Sequence, residues 1–257
     1  MTDNEPSYEE PIDLIPHDPA ASAWRRTARR HQAEWRVAHG WPVGAMTIPR
    51  TKQAKEAGES RRTRPIASRV DLEFARATNC NFLTPAIVAA VEDRLRRKQR
   101  RETLNTTRLY ADLLSSMPMC FNLFGPLHRD PESAAKAVAA WFPEMSVSDA
   151  PVTVGFEWSP GRSDPAFLGD RTAFDAVIRV GPETGGHLIG VETKYHEYPI
   201  TQRRASNEEP PQRYVEVSTT AKLFRSAGGV AKVWGTAMEQ VWRDHLLARS
   251  EEHTSEL

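Results

Sequence analysis

The sequence predicts an α/β fold: an αβββα core in the C-terminal half, preceded by an N-terminal helical extension. Three stretches, 152–158, 173–180 and 187–196, carry the apolar patterning of β-strands. Gly181-Pro182-Glu183-Thr184-Gly185-Gly186, between the last two, is turn chemistry, so those two form an antiparallel hairpin. Helical spacing on both sides of the three strands completes the α/β order.

A chain of 257 residues holds one sizeable core, or one core plus a helical extension. Its 39% hydrophobic and 26% charged residues are those of an ordinary soluble protein. The formal net charge is zero, yet residues 24–101 hold 19 Lys/Arg against 7 Asp/Glu, and the other residues 15 against 27. A neutral sum therefore conceals a basic segment, a candidate footprint for phosphates. Cys80 and Cys120 are far apart, without metal-ligand spacing. Cys120 lies in the apolar run Met119-Cys120-Phe121 and reads as a buried thiol. With no long apolar stretch and an acidic N-terminus, a cytoplasmic protein is expected.

The elements follow in order. Residues 1–20, with six acids and four prolines, are expected to be a disordered acidic tail. Residues 21–130 form a basic, helical N-terminal region. Its first helix, 21–39, places Trp24, Ala28 and Trp35 on one face and arginines, Arg29 and Arg30 among them, over much of the rest. Residues 40–69 show little periodicity and read as loop. Thr84-Pro85 opens a helix that ends in the basic run from Arg94 to Arg101. Leu109, Leu113, Leu114 and Met117 have helical spacing, and Pro118 is expected to end or kink that helix. The core spans 131–248, with a helix over 133–142, the three strands, and helices over 215–226 and 230–248.

Symmetric closure of the 181–186 turn sets Val180 opposite His187 and Asp175 opposite Glu192. Side-chain alternation then gives Glu192, Lys194 and His196 one face, shared with Asp175. Two carboxylates so close repel, and burial sharpens the conflict. A hard divalent cation relieves it: Mg²⁺, or Mn²⁺ in its place, takes one or two carboxylates plus water and phosphate. Such an ion activates water and steadies charge on a phosphodiester, with Lys194 stabilising the attacking hydroxide or the pentacovalent phosphorus. The same residues also fit a plain cross-strand ion pair of small energy.

Longer strings narrow the choice. Leu113-Leu114-Ser115-Ser116-Met117-Pro118-Met119-Cys120-Phe121-Asn122-Leu123-Phe124-Gly125, Phe156-Glu157-Trp158-Ser159-Pro160-Gly161-Arg162 and Gly190-Val191-Glu192-Thr193-Lys194-Tyr195-His196-Glu197 resemble a family of bacterial restriction-endonuclease-like proteins within the PD-(D/E)XK nuclease superfamily. The resemblance runs from about Arg26 to Ala248. It implies a restriction-endonuclease-like αβββαβ core, Mg²⁺ and DNA cleavage of restriction or repair type. Asp175, Glu192 and Lys194 match its motif residue by residue, with Asp175 and Glu192 as the metal ligands. The helix at 133–142 offers no carboxylate facing the strands, and Glu157 is the candidate replacement; it fits equally a salt bridge to Arg162 or Arg171. Gln240 and Arg243, on the last helix, either border the site and touch DNA or form a solvated face. Arg29, Arg30, Arg96, Arg97 and Arg100 are candidate DNA contacts, and the run at 94–101 is also a helix end favourable to cations. His196 is either a phosphate contact or a hydrogen-bonded structural histidine. Nucleases of restriction type often pair subunits, so a homodimer is a candidate assembly.

Residues 249–257 match, codon for codon, the translation of a widely used sequencing adapter, so they are expected to be an artefactual tail on a reading frame cut near Ala248. That reading removes the core's final strand and leaves a three-stranded sheet with an uncovered edge. A strand joining that sheet from residues 1–70 would contradict it. Two other functions fit the sequence: a non-catalytic DNA-binding protein that keeps the nuclease fold, and an α/β enzyme acting on a small phosphorylated substrate.

Overall fold

The computed structural model describes residues 23–48, 50–99, 102, 104–145, 147, 150–182, 186–195, 208–226 and 228–254. In chain order the elements are α1 (Ala23–Ala38), β1 (Val43–Thr47), α2 (Lys52–Glu56), β2 (Thr63–Val70), α3 (Leu72–Thr78), α4 (Pro85–Arg96), α5 (Thr106–Ala111), α6 (Ser116–Arg129), α7 (Pro131–Trp141), β3 (Val152–Trp158), β4 (Phe174–Val180), β5 (His187–Val191), α8 (Gln212–Thr220), α9 (Gly229–Val233) and α10 (Glu239–Thr254). They fall into two compact units, Met1–Leu83 with Asn105–Met119, and Thr84–Leu104 with Cys120–Leu257. The expected acidic tail, 1–20, lies outside the described residues. Among the described residues, no helix is long and apolar enough to cross a membrane.

The first unit corrects two expectations. Residues 40–69 are not a loop, since β1 and β2 pair antiparallel within them. Their pattern hid this because Ile66, Ala67 and Ser68 are buried consecutively, without alternation. Pro65 pairs with Ala45, and a two-stranded sheet has only edge strands, where a missing N–H is tolerated. Helix α1 packs on β2 through Ala28, Ala33 and Arg36. Arg36 donates to the carbonyls of Ala67 at 2.8 Å and Trp41 at 2.6 Å. Small alanines and this anchored guanidinium fill the interface, so Trp24 and Trp35 stay 60% and 45% exposed instead of joining Ala28.

The helix expected through Met117 is broken earlier. Asp112 Oδ1 accepts from the N–H of Leu114 at 3.2 Å, a side-chain bond that competes with the helical ladder. The chain turns and restarts as α6, placing Pro118 in a first turn, where its missing N–H costs little. In the second unit, Thr84 caps α4 by accepting from the Ile87 N–H at 3.4 Å, with Pro85 following as expected. Asp130 caps α7 in the same way, accepting from Ser133 at 3.0 Å.

Strands β3, β4 and β5 form an antiparallel sheet with β4 central. The hairpin register runs from Val180↔His187 to Ala176↔Val191, as the turn predicts. Helix α7 packs against β3, and α10 against α8 and β5. Phe121 of α6 stacks on Phe156 of β3 with ring centroids 4.2 Å apart. Elsewhere Tyr214, Val217, Trp242, Leu246 and Leu247 gather with Phe174 in one buried cluster. Each such side chain contributes about 1.5–3 kcal/mol of burial, opposed by chain entropy. Strands β1 and β2 form a separate two-stranded sheet, so residues 1–70 supply no described strand to this one.

Four C-terminal boundaries differ from expectation. The helix expected over 215–226 is α8 at Gln212–Thr220, which gives way to turns after Thr220. Strand β5 ends at Val191 rather than continuing to 196. The single helix expected over 230–248 is two, α9 and α10, separated around Gly235, whose φ of +70° no L side chain adopts easily. Helix α10 also continues past Ala248 to Thr254, with Ser250 buried and Arg179 Nη2 meeting Glu251 Oε1 at 3.2 Å.

Candidate active site

The sheet aligns three acids across its strands. The pairs Phe156↔Ala176 and Trp158↔Phe174 bracket Glu157 and Asp175, which therefore face each other. The pair Ala176↔Val191 puts Asp175 opposite Glu192, one step past the end of β5. Directly opposed residues share a face, so Glu157, Asp175 and Glu192 form one row. All three line a cleft of about 320 Å³ with Gln240, Arg243 and Asp244 of α10.

Each member of the row is held differently. Asp175 Oδ2 accepts from the Thr193 N–H at 2.8 Å and the Thr193 hydroxyl at 2.7 Å. This explains the early end of β5: the Thr193 N–H bonds a side chain instead of a ladder carbonyl. Glu192 Oε1 accepts from Lys194 Nζ and Gln240 Nε2. The Glu157 backbone has a φ of +48°, a left-handed conformation that costs a non-glycine residue about 1–2 kcal/mol. Two guanidiniums brace it: its carbonyl accepts from Arg162 at 2.9 Å and Arg94 at 3.3 Å. Arg162 also pairs with the Glu157 carboxylate at 3.4 Å, so the expected salt bridge and the cleft position are both present.

Like charge at close quarters shifts these groups. Burial pushes the Glu192 carboxyl up and the Asp175 charge adds to it, while Lys194 and Gln240 pull the other way. Burial and Asp175 likewise raise Glu157, against Arg162 and Arg94. Asp244 moves furthest, from an ordinary 3.8 to about 7, through burial first, then the charges of Glu192 and Asp175. Cys120 is a buried thiol raised by the same burial and by Asp175.

The remaining candidates are dispersed. Arg243 donates to Asp170 Oδ2 at 2.8 Å and Thr172 Oγ1 at 2.6 Å while lining the cleft. Burial pushes Asp170 up, but hydrogen bonds from Tyr214 and Thr172 outweigh it and hold the carboxyl below its usual range. Arg96 and Arg97 are exposed and each meets Asp93 at 3.2 Å. Arg94, the start of the basic run, turns inward to Glu102 at 2.6 Å and the Phe156 carbonyl at 2.8 Å. Arg29 is half-buried and Arg30 exposed on α1, in the first unit. Arg100 and His196 lie outside the described residues.

Sequence reasoning missed Asp244, the Thr193 hydrogen bonds and the inward turn of Arg94. It named Arg162 as a salt-bridge partner of Glu157 but not as a brace of its backbone. Asp244 stands one turn after Gln240, so helical spacing alone put both on one face. Oxygen donors crowded against their own repulsion are the chemistry of a hard cation. Among the described residues no three His, Cys, Asp or Glu side chains converge to cage a metal. The fit is to an ion held by one or two carboxylates and completed by water and phosphate, the habit of Mg²⁺. The family model for the PD-(D/E)XK nuclease superfamily matches residues 17–256. No curated protein and no solved structure matches the chain.

Proposed function

Since the chain belongs to the PD-(D/E)XK nuclease superfamily, we propose that it hydrolyses DNA phosphodiester bonds with Mg²⁺, Asp175 and Glu192 holding the ion and Lys194 acting beside them. The observation that supports this most is the row Glu157, Asp175, Glu192, with the Lys194 ammonium on its last carboxylate. When bound, a divalent cation lowers the pKa of water and neutralises charge on phosphate oxygens.

The chain's own groups do the rest. Thr193 fixes one Asp175 oxygen with two hydrogen bonds and leaves Oδ1 for a further ligand. Gln240 orients Glu192 from α10. Lys194 brings a positive charge to where a phosphodiester gathers negative charge as a P–O bond breaks. Glu157 adds a third carboxylate, and Arg243 and Arg171 line the same cleft as candidate phosphate contacts.

Cleavage of supercoiled plasmid tests the reading. Nicked and linear products are expected with Mg²⁺ and not with EDTA. Lys194→Ala and Asp175→Ala are each expected to slow cleavage by about 100-fold or more. Cleavage at the parent rate in both variants overturns the mechanism. Duplex binding without cleavage by the parent protein favours a non-catalytic DNA-binding role.

A further inference from the structure

Between β3 and β4 the chain is rich in Gly, Pro and Asp, and it reaches Asp170-Arg171-Thr172 just before β4. Asp favours such turns because its side chain bonds the backbone two residues on. Here Asp170 Oδ1 accepts from the Thr172 N–H at 2.8 Å. Its Oδ2 accepts from the Thr172 hydroxyl at 2.7 Å, from the Tyr214 hydroxyl, and from Arg243 Nη2 at 2.8 Å. Tyr214 is buried, and its ring meets that of Trp242 edge-on with centroids 5.5 Å apart, so packing between α8 and α10 sets where its hydroxyl points. Burial opposes the Asp170 charge, yet the Tyr214 and Thr172 hydrogen bonds hold the carboxyl below its usual range.

Arg243 shares the cleft with Glu157, Asp175, Glu192 and Asp244. A guanidinium among carboxylates ordinarily pairs with one of them, often through two parallel hydrogen bonds. Among the described residues, the hydrogen bonds of Arg243 go to the loop instead, both from Nη2, to Asp170 and Thr172. Its Nε is buried with no acceptor. An unsatisfied buried donor is uncommon and opposes folding, so this placement calls for an explanation. The row is within electrostatic reach: burial raises the Asp244 carboxyl, and Arg243 is among the charges that pull it back.

We infer that Asp170 and Tyr214 are positioning residues that hold Arg243 on the cleft wall and keep its guanidinium from pairing with the acidic row. Released, the guanidinium would neutralise carboxylates that a divalent cation needs. Held, it leaves them open and keeps a positive charge where a phosphate oxygen would be drawn. The role assigned to the pair rests on the reading of Asp175 and Glu192 as ion ligands.

The Mn²⁺ affinity of the whole chain, measured without DNA from the electron paramagnetic resonance signal of the free ion, tests the restraint apart from cleavage. Tyr214→Phe removes a hydroxyl and no charge, and it is expected to raise the Mn²⁺ Kd about threefold or more. Asp170→Asn is expected to raise it about tenfold or more. In the Arg243→Ala background, Tyr214→Phe is expected to change the Kd less than about twofold, and Asp170→Asn to lose most of its effect, because no guanidinium is left to restrain. A general loosening of the fold would weaken binding equally in both backgrounds. Circular dichroism on heating checks that each variant is folded. Equal effects with and without Arg243, or an unchanged Kd in folded Tyr214→Phe and Asp170→Asn, overturn the inference and leave the metal reading intact. A parent chain that takes up no Mn²⁺ overturns both.

Discussion

Asp244 is the carboxyl whose protonation the site controls most strongly. Lying at about 7 against an ordinary 3.8, it keeps its proton in the folded chain after the unfolded chain has released it. An acid raised in this way costs nothing below about pH 4, takes stability away as pH rises to about 7, and exacts its full cost above that. Asp244→Asn removes the cost. The variant is therefore expected to raise the thermal midpoint at pH 8 and to raise it less at pH 5. An equal gain at both pH values would show that the Asp244 carboxyl is not raised in the folded chain. Glu157 and Glu192 are raised as well and slope the same way, while Asp170 is lowered and slopes the other. The comparison of one variant with its parent isolates Asp244 from these.

At the scale of elements, the hairpin decides where the acids go, and close packing keeps it there. A Cβ on Gly190 would lie 2.4 Å from the Phe174 ring, so only glycine lets β5 approach that ring. Gly190→Ala is expected to cost about 1–3 kcal/mol of stability through overpacking, read by denaturant unfolding. It is also expected to weaken cleavage by moving Glu192, two residues on; full activity in a destabilised variant would separate the packing from the site. The hairpin was legible because turn chemistry fixed its register, and register fixed Asp175 opposite Glu192. The bulge-like turn of the Glu157 backbone was not, since it depends on Arg94 and Arg162, whose convergence no local pattern encodes. Nor was the end of β5, because the Thr193–Asp175 hydrogen bond replaces a ladder bond that alternation predicts. The β1–β2 pair escaped notice for a simpler reason: its buried residues are consecutive and include Ser68. Polar groups from α10 were half legible, their spacing visible and their target on β5 not.

For the whole molecule, the proposed role of the acidic row implies a stability that depends on cations. Like charges gathered by folding oppose it, and an ion that binds only the folded chain restores what they cost. By mass action, Mg²⁺ at a hundredfold excess over its Kd stabilises by about 2.7 kcal/mol. Asp175→Asn is expected to raise the thermal midpoint without Mg²⁺ and to lose most of the Mg²⁺-induced rise. An undiminished rise in the variant would locate the ion elsewhere. Within the neutral total charge, residues 23–83 and 105–119 hold 14 Lys/Arg against 6 Asp/Glu, and the six acids of residues 1–22 offset most of that excess.

The most direct test of the acidic row is anomalous diffraction from crystals soaked in Mn²⁺. One peak within ligand distance of Asp175 and Glu192, lost in Asp175→Asn, is the predicted result. Saturating Mn²⁺ with no peak at these two carboxylates, or an unchanged peak in the variant, would contradict it.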